Sequence, residues 1–354
     1  MSDLKNTIKE TTAKLVSILN SRNRDVIFRR FGLKTGRKET LESIGHSYGI
    51  TRERVRQIEE VSLKQVREEL LANGSLKVKP YVALAENILE QAGGVLNEKD
   101  LFARYFTANN ARGDVNDVAS ASLVFILTLD GKLARVVEDD KFYPFWSLSV
   151  SHAQAFKDSV AVLIKSFSKQ NSPIAETTLA DFSKKSGVSP KFTAAAALAS
   201  IISISKEIGK NIFGQIGLTA WSEIKPRGVR DKSYLVLKRE GKPKHFMDIT
   251  QLINATFGDR KANVQTVHNE LIKDDRFVLV GRGLYGLAEW GYKTGTVKDV
   301  LVDLLKSADK PVKRDELVAQ VLSHRLVKEN TILLNLQDSR TFKKTEQGYI
   351  LNEA

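Results

Sequence analysis

The sequence has 354 residues, of which 42% are hydrophobic and 27% are charged, as in soluble globular proteins. It contains no run of eighteen apolar residues, and its N-terminus, MSDLKNTIKETTAKL, is too polar for a signal peptide, so we expect a cytoplasmic protein without a membrane span. Because it has no cysteine, disulfides, cysteine-ligated zinc fingers and thiol nucleophiles are excluded.

The net charge of +13 favours a polyanionic partner on electrostatic grounds. Its distribution is uneven. Residues 1–79 carry 17 Lys and Arg against 10 Asp and Glu, whereas residues 80–151 carry 6 against 10. Since the two segments have opposite net charge, we do not expect them to share a ligand.

The stretch TLESIGHSYGITRERVRQIEEVSLKQVRE, residues 40–68, predicts a helix-turn-helix. Its first helix is short, and Gly49 can adopt the positive φ that a tight turn after that helix requires. Thr51 is a good N-cap for a second helix. In that helix Val55 and Ile58, three residues apart, face inward. The second helix of such a motif normally lies in the major groove of DNA.

The outward face of this helix carries polar side chains that suit base recognition. Arg52 and Arg56 are four residues apart, as are Glu53 and Gln57, so the four form one patch opposite the apolar pair. Arginine can bond guanine, glutamine can bond adenine, and glutamate can accept from cytosine. The alternative is an exposed face of ion pairs within the helix.

Residues 24–68, RDVIFRRFGLKTGRKETLESIGHSYGITRERVRQIEEVSLKQVRE, closely resemble region four of bacterial primary sigma factors. The resemblance implies four contacts with bases of the upstream promoter element, by Arg52, Glu53, Arg56 and Gln57. It also implies three positions near DNA phosphates, namely Arg30, Thr40 and Lys64. In sigma factors this module also contacts RNA polymerase, so promoter DNA and RNA polymerase are the expected partners.

The rest of the chain shows a repeated order of predicted elements. Trp146, Trp221 and Trp290 are 75 and 69 residues apart, and each closes an apolar run. Before each of them the pattern predicts three helices followed by a β-hairpin, which is the order of a winged helix. We therefore predict a mainly α fold with small β-hairpins, in which a sigma region-four-like helix-turn-helix precedes tandem winged helices. The expected domains are 1–79, 80–151, 152–222, 223–292 and 293–354, and we expect residues 222–232 to form a mobile linker.

The last two predicted units resemble HARE-type helix-turn-helix domains, the winged-helix family found in the delta subunit of bacterial RNA polymerase. The third unit carries this likeness in HFMDITQLINATF and VQTVHNELIKDDRFVLVGRGLYGLAEWGY, and the fourth carries it in PVKRDELVAQVL and KENTILLNLQDSRTFKK. The resemblance implies a role in transcription without implying a particular site.

The stretch GRGLYG, residues 281–286, matches the glycine pattern of nucleotide-binding loops. Such a loop needs a strand before it and a helix after it, whereas the following LAEWGY predicts a strand. We therefore interpret the stretch as the turn of a wing, with Arg282 at its tip as a candidate phosphate contact.

The first winged unit differs from the others in its charge. Its predicted third helix, DVASASLVFILTLDG, has no Lys or Arg, and its predicted wing carries three acidic residues, Glu138, Asp139 and Asp140. Phosphates would be repelled by such a wing, so we expect it to contact a protein, with a basic surface of RNA polymerase as the favoured partner. The aromatic residues that follow the wing are expected in the core.

The chain contains no P-loop, H-E-x-x-H or G-x-S-x-G motif, and we expect neither an enzyme activity nor a metal or cofactor. The predicted function is sequence-specific DNA binding by a bacterial transcription factor or sigma-like regulator. One alternative is a non-catalytic accessory subunit of RNA polymerase that acts through protein contacts. Another is the DNA-reading subunit of a nuclease system. The sequence leaves the oligomeric state open.

Overall fold

The computed structural model describes residues 4–107, 117–258, 261–292, 294–308 and 310–352. The chain divides into two compact units, Met1–Ala220 and Trp221–Ala354, which we call the N-terminal and C-terminal units. Most elements are helices, and the sheets are small and antiparallel. Within the described residues, no helix is both long and apolar enough to cross a membrane.

The N-terminal unit begins with the predicted helix-turn-helix. Its helices are α1 (Leu4–Val16), α2 (Ser21–Phe31), α3 (Leu41–Tyr48) and α4 (Arg52–Glu69). The side chain of Thr51 caps α4 by accepting the Arg54 N–H, and Gly49 ends α3 with a φ of 62°. A side chain at Gly45 would collide with the backbone of the turn, since its Cβ would lie 2.7 Å from the Ile50 carbonyl oxygen. The sequence prediction of this motif is therefore confirmed.

Four repeats of one arrangement follow, each with three helices and a hairpin, and the first three also have a short strand after their first helix. The first consists of α5 (Ser75–Gln91), β1 (Val95–Asn97), α6 (Glu98–Thr107), α7 (Val118–Asp130), β2 (Ala134–Val136) and β3 (Phe145–Ser147). The second consists of α8 (Val150–Gln170), β4 (Ile174–Ala175), α9 (Leu179–Lys185), α10 (Ala195–Ile204), β5 (Ile208–Lys210) and β6 (Gln215–Leu218).

The C-terminal unit contains the other two repeats. The third consists of α11 (Val229–Glu240), β7 (Lys244–His245), α12 (Phe246–Thr256), α13 (Val264–Lys273), β8 (Phe277–Gly281) and β9 (Leu284–Leu287). The fourth consists of α14 (Val297–Lys306), α15 (Arg314–His324), α16 (Glu329–Leu336), β10 (Phe342–Thr345) and β11 (Gly348–Leu351). Each of these repeats has its own apolar core.

The short strand after the first helix of the first three repeats was not predicted. In the first three repeats it pairs with the last strand, which gives the sheet orders β1-β3-β2, β4-β6-β5 and β7-β9-β8. In the fourth repeat a single bridge between Val312 and Tyr349 takes its place. These strands are at most three residues long, too short to show alternation of apolar and polar side chains.

The helix-turn-helix and the first repeat share one core. α4 continues through a single π-helical turn (Leu70–Gly74) into α5, so the expected domain limit between residues 79 and 80 lies inside a helix. One cluster of buried apolar residues extends from Ile8 to Trp146. α7 lies in its middle and packs against α1, α2, α4 and α5.

The structure corrects the predicted linker at residues 222–232. α11 begins at Val229, so the last residues of that range are helical. Ile224 is buried, and Asp231 accepts hydrogen bonds from the Arg227 N–H at 3.1 Å and from the Arg276 guanidinium at 3.0 Å. The two units do divide next to this range, after Ala220, but its charged residues were wrongly taken as solvated, since Asp231 has partners 4 and 45 residues away.

Candidate nucleic-acid interface

The first half of α4 presents its polar side chains to solvent. Val55 is fully buried in a small core with Val26 and Ile44, and Ile58 packs against the same core. On the outward side, four exposed residues form the predicted patch, namely Arg52, Glu53, Arg56 and Gln57. The structure therefore brings together the four candidate base-reading residues on one accessible helical surface.

Arg56 is held by two carboxylates of its own helix. Its Nη2 lies 2.8 Å from Glu53 Oε1, and its Nη1 lies 3.1 Å from Glu60 Oε2. The hydrogen bond from Arg56 lowers the pKa of Glu53 and so favours its ionised form. Exposed ion pairs of this kind are weak because water screens them, and a base edge can compete for the guanidinium. Ion pairing and accessibility, which the sequence offered as alternatives, thus occur together.

Arg54 belongs to the same surface, although the sequence analysis did not single it out. Its Nη1 donates to Gln57 Oε1 at 3.0 Å, so Arg54 orients one of the candidate base-reading side chains. The spacing of three residues was the available signal, since side chains three apart meet on a helix. A hydrogen bond from the Gln57 side chain also helps to lower the pKa of Glu53, so Gln57 interacts with both Arg54 and Glu53.

Arg30 and Thr40 lie beside the start of α4. Together with Arg52, Leu41 and Glu42 they line a groove of about 410 Å³. Thr40 caps α3 by accepting the Ser43 N–H at 3.1 Å, which leaves its hydroxyl hydrogen free to donate. The Arg30 guanidinium donates from Nε to Glu59 at 3.1 Å and from Nη1 to the Glu39 carbonyl at 3.1 Å. Arg30 is thus positioned by protein contacts, with hydrogens remaining on its outer edge.

Lys64 is exposed on the second half of α4. It lies twelve residues beyond Arg52, which corresponds to about 18 Å along the helix at 1.5 Å per residue. Lys64 is therefore not part of the groove around Arg30. A phosphate that it contacts would belong to a different stretch of a bound duplex.

Arg282 lies in the C-terminal unit, in the turn between β8 and β9, and is exposed. The stretch around it forms a strand, a turn and a strand, and β9 is followed only by a single 3-10 turn (Ala288–Trp290). This confirms that GRGLYG forms a hairpin turn and not a nucleotide-binding loop. Of LAEWGY only Leu287 belongs to a strand, so the prediction of a strand over this stretch was wrong.

The three acidic residues of the first repeat's hairpin have different environments. Glu138 pairs with Lys206 of the second repeat at 2.7 Å. Asp139 accepts the backbone N–H groups of Lys141 and Phe142 and so closes the turn. Asp140 is exposed. This loop fastens the first repeat to the second, since Lys206 also donates to the Asp139 carbonyl oxygen.

The aromatic residues after this loop are mostly in the core, as expected. Phe142, Phe145 and Trp146 are buried, and the ring of Phe145 lies 5.3 Å from that of Phe156 in the second repeat. Tyr143 is the exception: it is 46% exposed and lies under the Lys206 ammonium. Among the residues that the structure describes, no group of His, Asp and Glu is arranged to hold a metal ion.

The segment that contains α4 is similar in sequence to known proteins. Residues 15–68 match the family model of sigma-70, region 4. The RNA polymerase sigma factor SigA of Nostoc sp. is 41% identical over 78 residues, which are 22% of this chain and 19% of that protein. SigA1 of Synechococcus elongatus is 46% identical over 78 residues, with the same two shares. SigA of Clostridium acetobutylicum is 40% identical over 75 residues, 21% of this chain and 19% of that protein.

This chain therefore spans about a fifth of the length of the relatives that it matches. The matched part contains α2, α3 and all but the last residue of α4, with the turn between α3 and α4. The segment that carries the candidate base-reading residues is thus similar to region 4 of RNA polymerase sigma factors.

Proposed function

We propose that the protein is a sequence-specific DNA-binding regulator of bacterial transcription that reads promoter DNA through α4 and engages RNA polymerase. The observation that carries this proposal is the exposed first half of α4, where arginine, glutamate and glutamine side chains lie on a helix similar to sigma region 4. In a helix-turn-helix this half enters the major groove. Such a regulator would act in the cytoplasm, where bacterial promoters are found.

In this proposal Arg52, Glu53, Arg56 and Gln57 contact base edges. Arg30 and Thr40 contact a phosphate at the groove beside Arg52, and Lys64 contacts a second phosphate farther along the duplex. Contacts with base edges determine sequence preference, whereas contacts with phosphates determine position and salt dependence. The two classes of residue therefore differ in what their removal changes.

We further propose that the four repeats are winged helices and that the last two are of the HARE type. Three helices and a hairpin in each repeat support this, as does the order of the strands in the first three sheets. Of the three acidic residues in the hairpin of the first repeat, only Asp140 remains a candidate protein contact. Glu138 and Asp139 are engaged within the N-terminal unit.

The test is a selection of bound duplexes from a random library with the full chain and with single variants. Arg52→Ala and Gln57→Ala should each cost about 1–3 kcal/mol on the preferred site and relax the preference at single positions. Lys64→Ala should weaken binding to all sequences alike. Gln65→Ala is the matched control, since Gln65 is an exposed glutamine of the same helix outside the patch.

If the full chain selected no sequence but bound purified RNA polymerase, the proposal would be wrong and the protein would be an accessory subunit. If the Arg52 and Gln57 variants kept the preference of the original protein, α4 would not be the reading element.

A further inference from the structure

The C-terminal unit contains an open groove where the third repeat meets the fourth. Its volume is about 630 Å³, and its walls come from the hairpin turn of the third repeat, the start of α14 and the segment before α16. The Leu326 N–H donates to the Val280 carbonyl at 2.9 Å, so this segment covers the edge of β8. Backbone hydrogen bonding thus fixes the geometry of the groove.

The groove is lined by three cationic side chains, Arg282, Arg325 and Lys328. None of the lining residues that the structure describes is acidic or aromatic. Arg282 and Lys328 are exposed, and neither forms an ion pair with a described residue. Their charges are therefore available to a ligand.

Arg325 forms the floor of the groove and is only 5% exposed. Its Nη1 donates to the Leu279 carbonyl at 2.6 Å, and its Nη2 donates to the Gly295 carbonyl. Burial lowers the pKa of Arg325, and the charge of Asp299 opposes this effect. A guanidinium remains protonated even when buried, so the floor carries a fixed positive charge.

Asp299 is the acidic residue whose charge affects Arg325. Its carboxylate accepts the Thr296 N–H at 2.6 Å and the Thr296 hydroxyl at 2.8 Å, and these bonds cap α14. The carboxylate is thus engaged in capping, and it balances at most one of the three positive charges. The groove keeps a net positive charge.

We propose that this groove binds the phosphate backbone of duplex DNA, with Arg282 and Lys328 as the phosphate contacts. The groove offers no aromatic ring on which the base of a free nucleotide could stack, whereas arginine and lysine contact backbone phosphates without regard to sequence. The site goes beyond the function proposed above, because it gives the C-terminal unit a DNA contact of its own.

The test uses the full chain and measures affinity for a duplex of random sequence over a range of salt concentrations. Arg282→Gln combined with Lys328→Gln should reduce the slope of log affinity against log salt by about 2, since each phosphate contact contributes about 0.9. At about 0.15 M salt we expect a loss of roughly tenfold. Lys242→Gln combined with Lys306→Gln is the matched control, because both lysines are exposed in the same unit outside the groove. It should change affinity less than twofold.

Equal slopes for the two double variants would overturn the proposal. So would binding of inorganic phosphate or AMP below about 1 mM that depends on Arg282 and Lys328, because the groove would then serve a small anion. Thermal unfolding of both variants checks that each is folded. The double variant should keep the sequence preference of the original protein, so failure here is distinguishable from failure of α4 to read DNA.

Discussion

At the scale of single residues, Glu53 has two roles that can be separated. It accepts hydrogen bonds from Arg56, and in the proposed function it also contacts a base. Glu60 is the second carboxylate on Arg56 and lies about two turns beyond Glu53 along the helix. The pair therefore offers a comparison between a base contact and a mere ion-pair partner.

We predict that Glu53→Ala and Glu60→Ala both raise affinity for random DNA, because each removes a negative charge near phosphates. Glu53→Ala should in addition abolish the preference at one base position, as expected for a carboxylate that accepts from cytosine. Selected sequences read by deep sequencing measure both effects. If Glu53→Ala kept the base preference of the original protein, Glu53 would be only an ion-pair partner of Arg56 and not a base contact.

Glu98 is a buried carboxylate of the first repeat. It is 5% exposed, and it accepts from Arg135 at 2.6 and 2.9 Å and from the Trp146 indole at 3.0 Å. Burial by itself would raise the pKa of Glu98, but the hydrogen bonds and charge of Arg135 outweigh it, so the pKa is lowered. Folding therefore favours the ionised form of the Glu98 carboxylate, which Arg135 holds.

A lowered folded pKa means that this stabilisation is complete above the unfolded value of about 4.3 and is lost as pH falls through the folded value. We predict that Glu98→Gln lowers the free energy of unfolding near pH 7 by about 2 kcal/mol, because Arg135 loses its charged partner. The variant should also lose less stability than the original protein between about pH 5 and pH 3. Urea unfolding of residues 1–220, in which Trp146 is the only tryptophan, measures this by fluorescence at several pH values, and parallel pH profiles would contradict it.

At the scale of elements, α7 determines the size of the N-terminal folding unit. Its residues 119–127 are all buried, and it packs on helices from both the helix-turn-helix and the first repeat. Phe125 meets Phe31 of α2 edge to face at 5.0 Å, and Arg67 of α4 donates to the Leu129 carbonyl at 3.2 Å. The absence of Lys and Arg from α7 thus reflects a helix surrounded by protein.

We predict that residues 1–79 alone do not fold stably, because removing α7 exposes the apolar sides of α1 and α2 and the cut falls inside α5. Residues 1–220 should fold and show a single cooperative transition. Circular dichroism and urea titration of the two fragments test this. A stably folded 1–79 fragment that binds DNA would show that the first repeat is not needed to support α4.

At the scale of the whole molecule, each of the two units contains apolar clusters of its own. The large cluster of the N-terminal unit lies within residues 8–146, and the two clusters of the C-terminal unit lie within 234–287 and 300–342. Domains with their own cores can fold independently. We predict that residues 1–220 and 221–354, expressed separately, each unfold cooperatively at a temperature close to that of the same unit in the full chain.

Differential scanning calorimetry of the full chain and of both fragments measures this. The full-chain trace should equal the sum of the fragment traces. A shift of either transition by more than about 4 °C would mean that the units stabilise each other by roughly 1 kcal/mol or more.

The sequence by itself determined the elements whose signals are local. Thr51 as a cap, Gly49 at the turn and Val55 facing inward are properties of neighbouring residues, so the helix-turn-helix and its polar face could be predicted. The same holds for the helices and hairpins of the repeats, since the periods of 3.6 and 2 are visible in short windows. Strands of two or three residues are too short for such a period.

Only the tertiary structure decided which distant residues meet. It placed Glu138 against Lys206 and assembled one groove from Arg282, Arg325 and Lys328. It also packed α7 against helices of residues 1–79, which had been expected to form a separate domain. Spacing along the chain contains no information about partners more than 40 residues apart, because those contacts depend on how whole elements pack. A charged or apolar stretch therefore predicts that a side chain needs a partner, and the fold determines whether that partner is water, DNA or the protein itself.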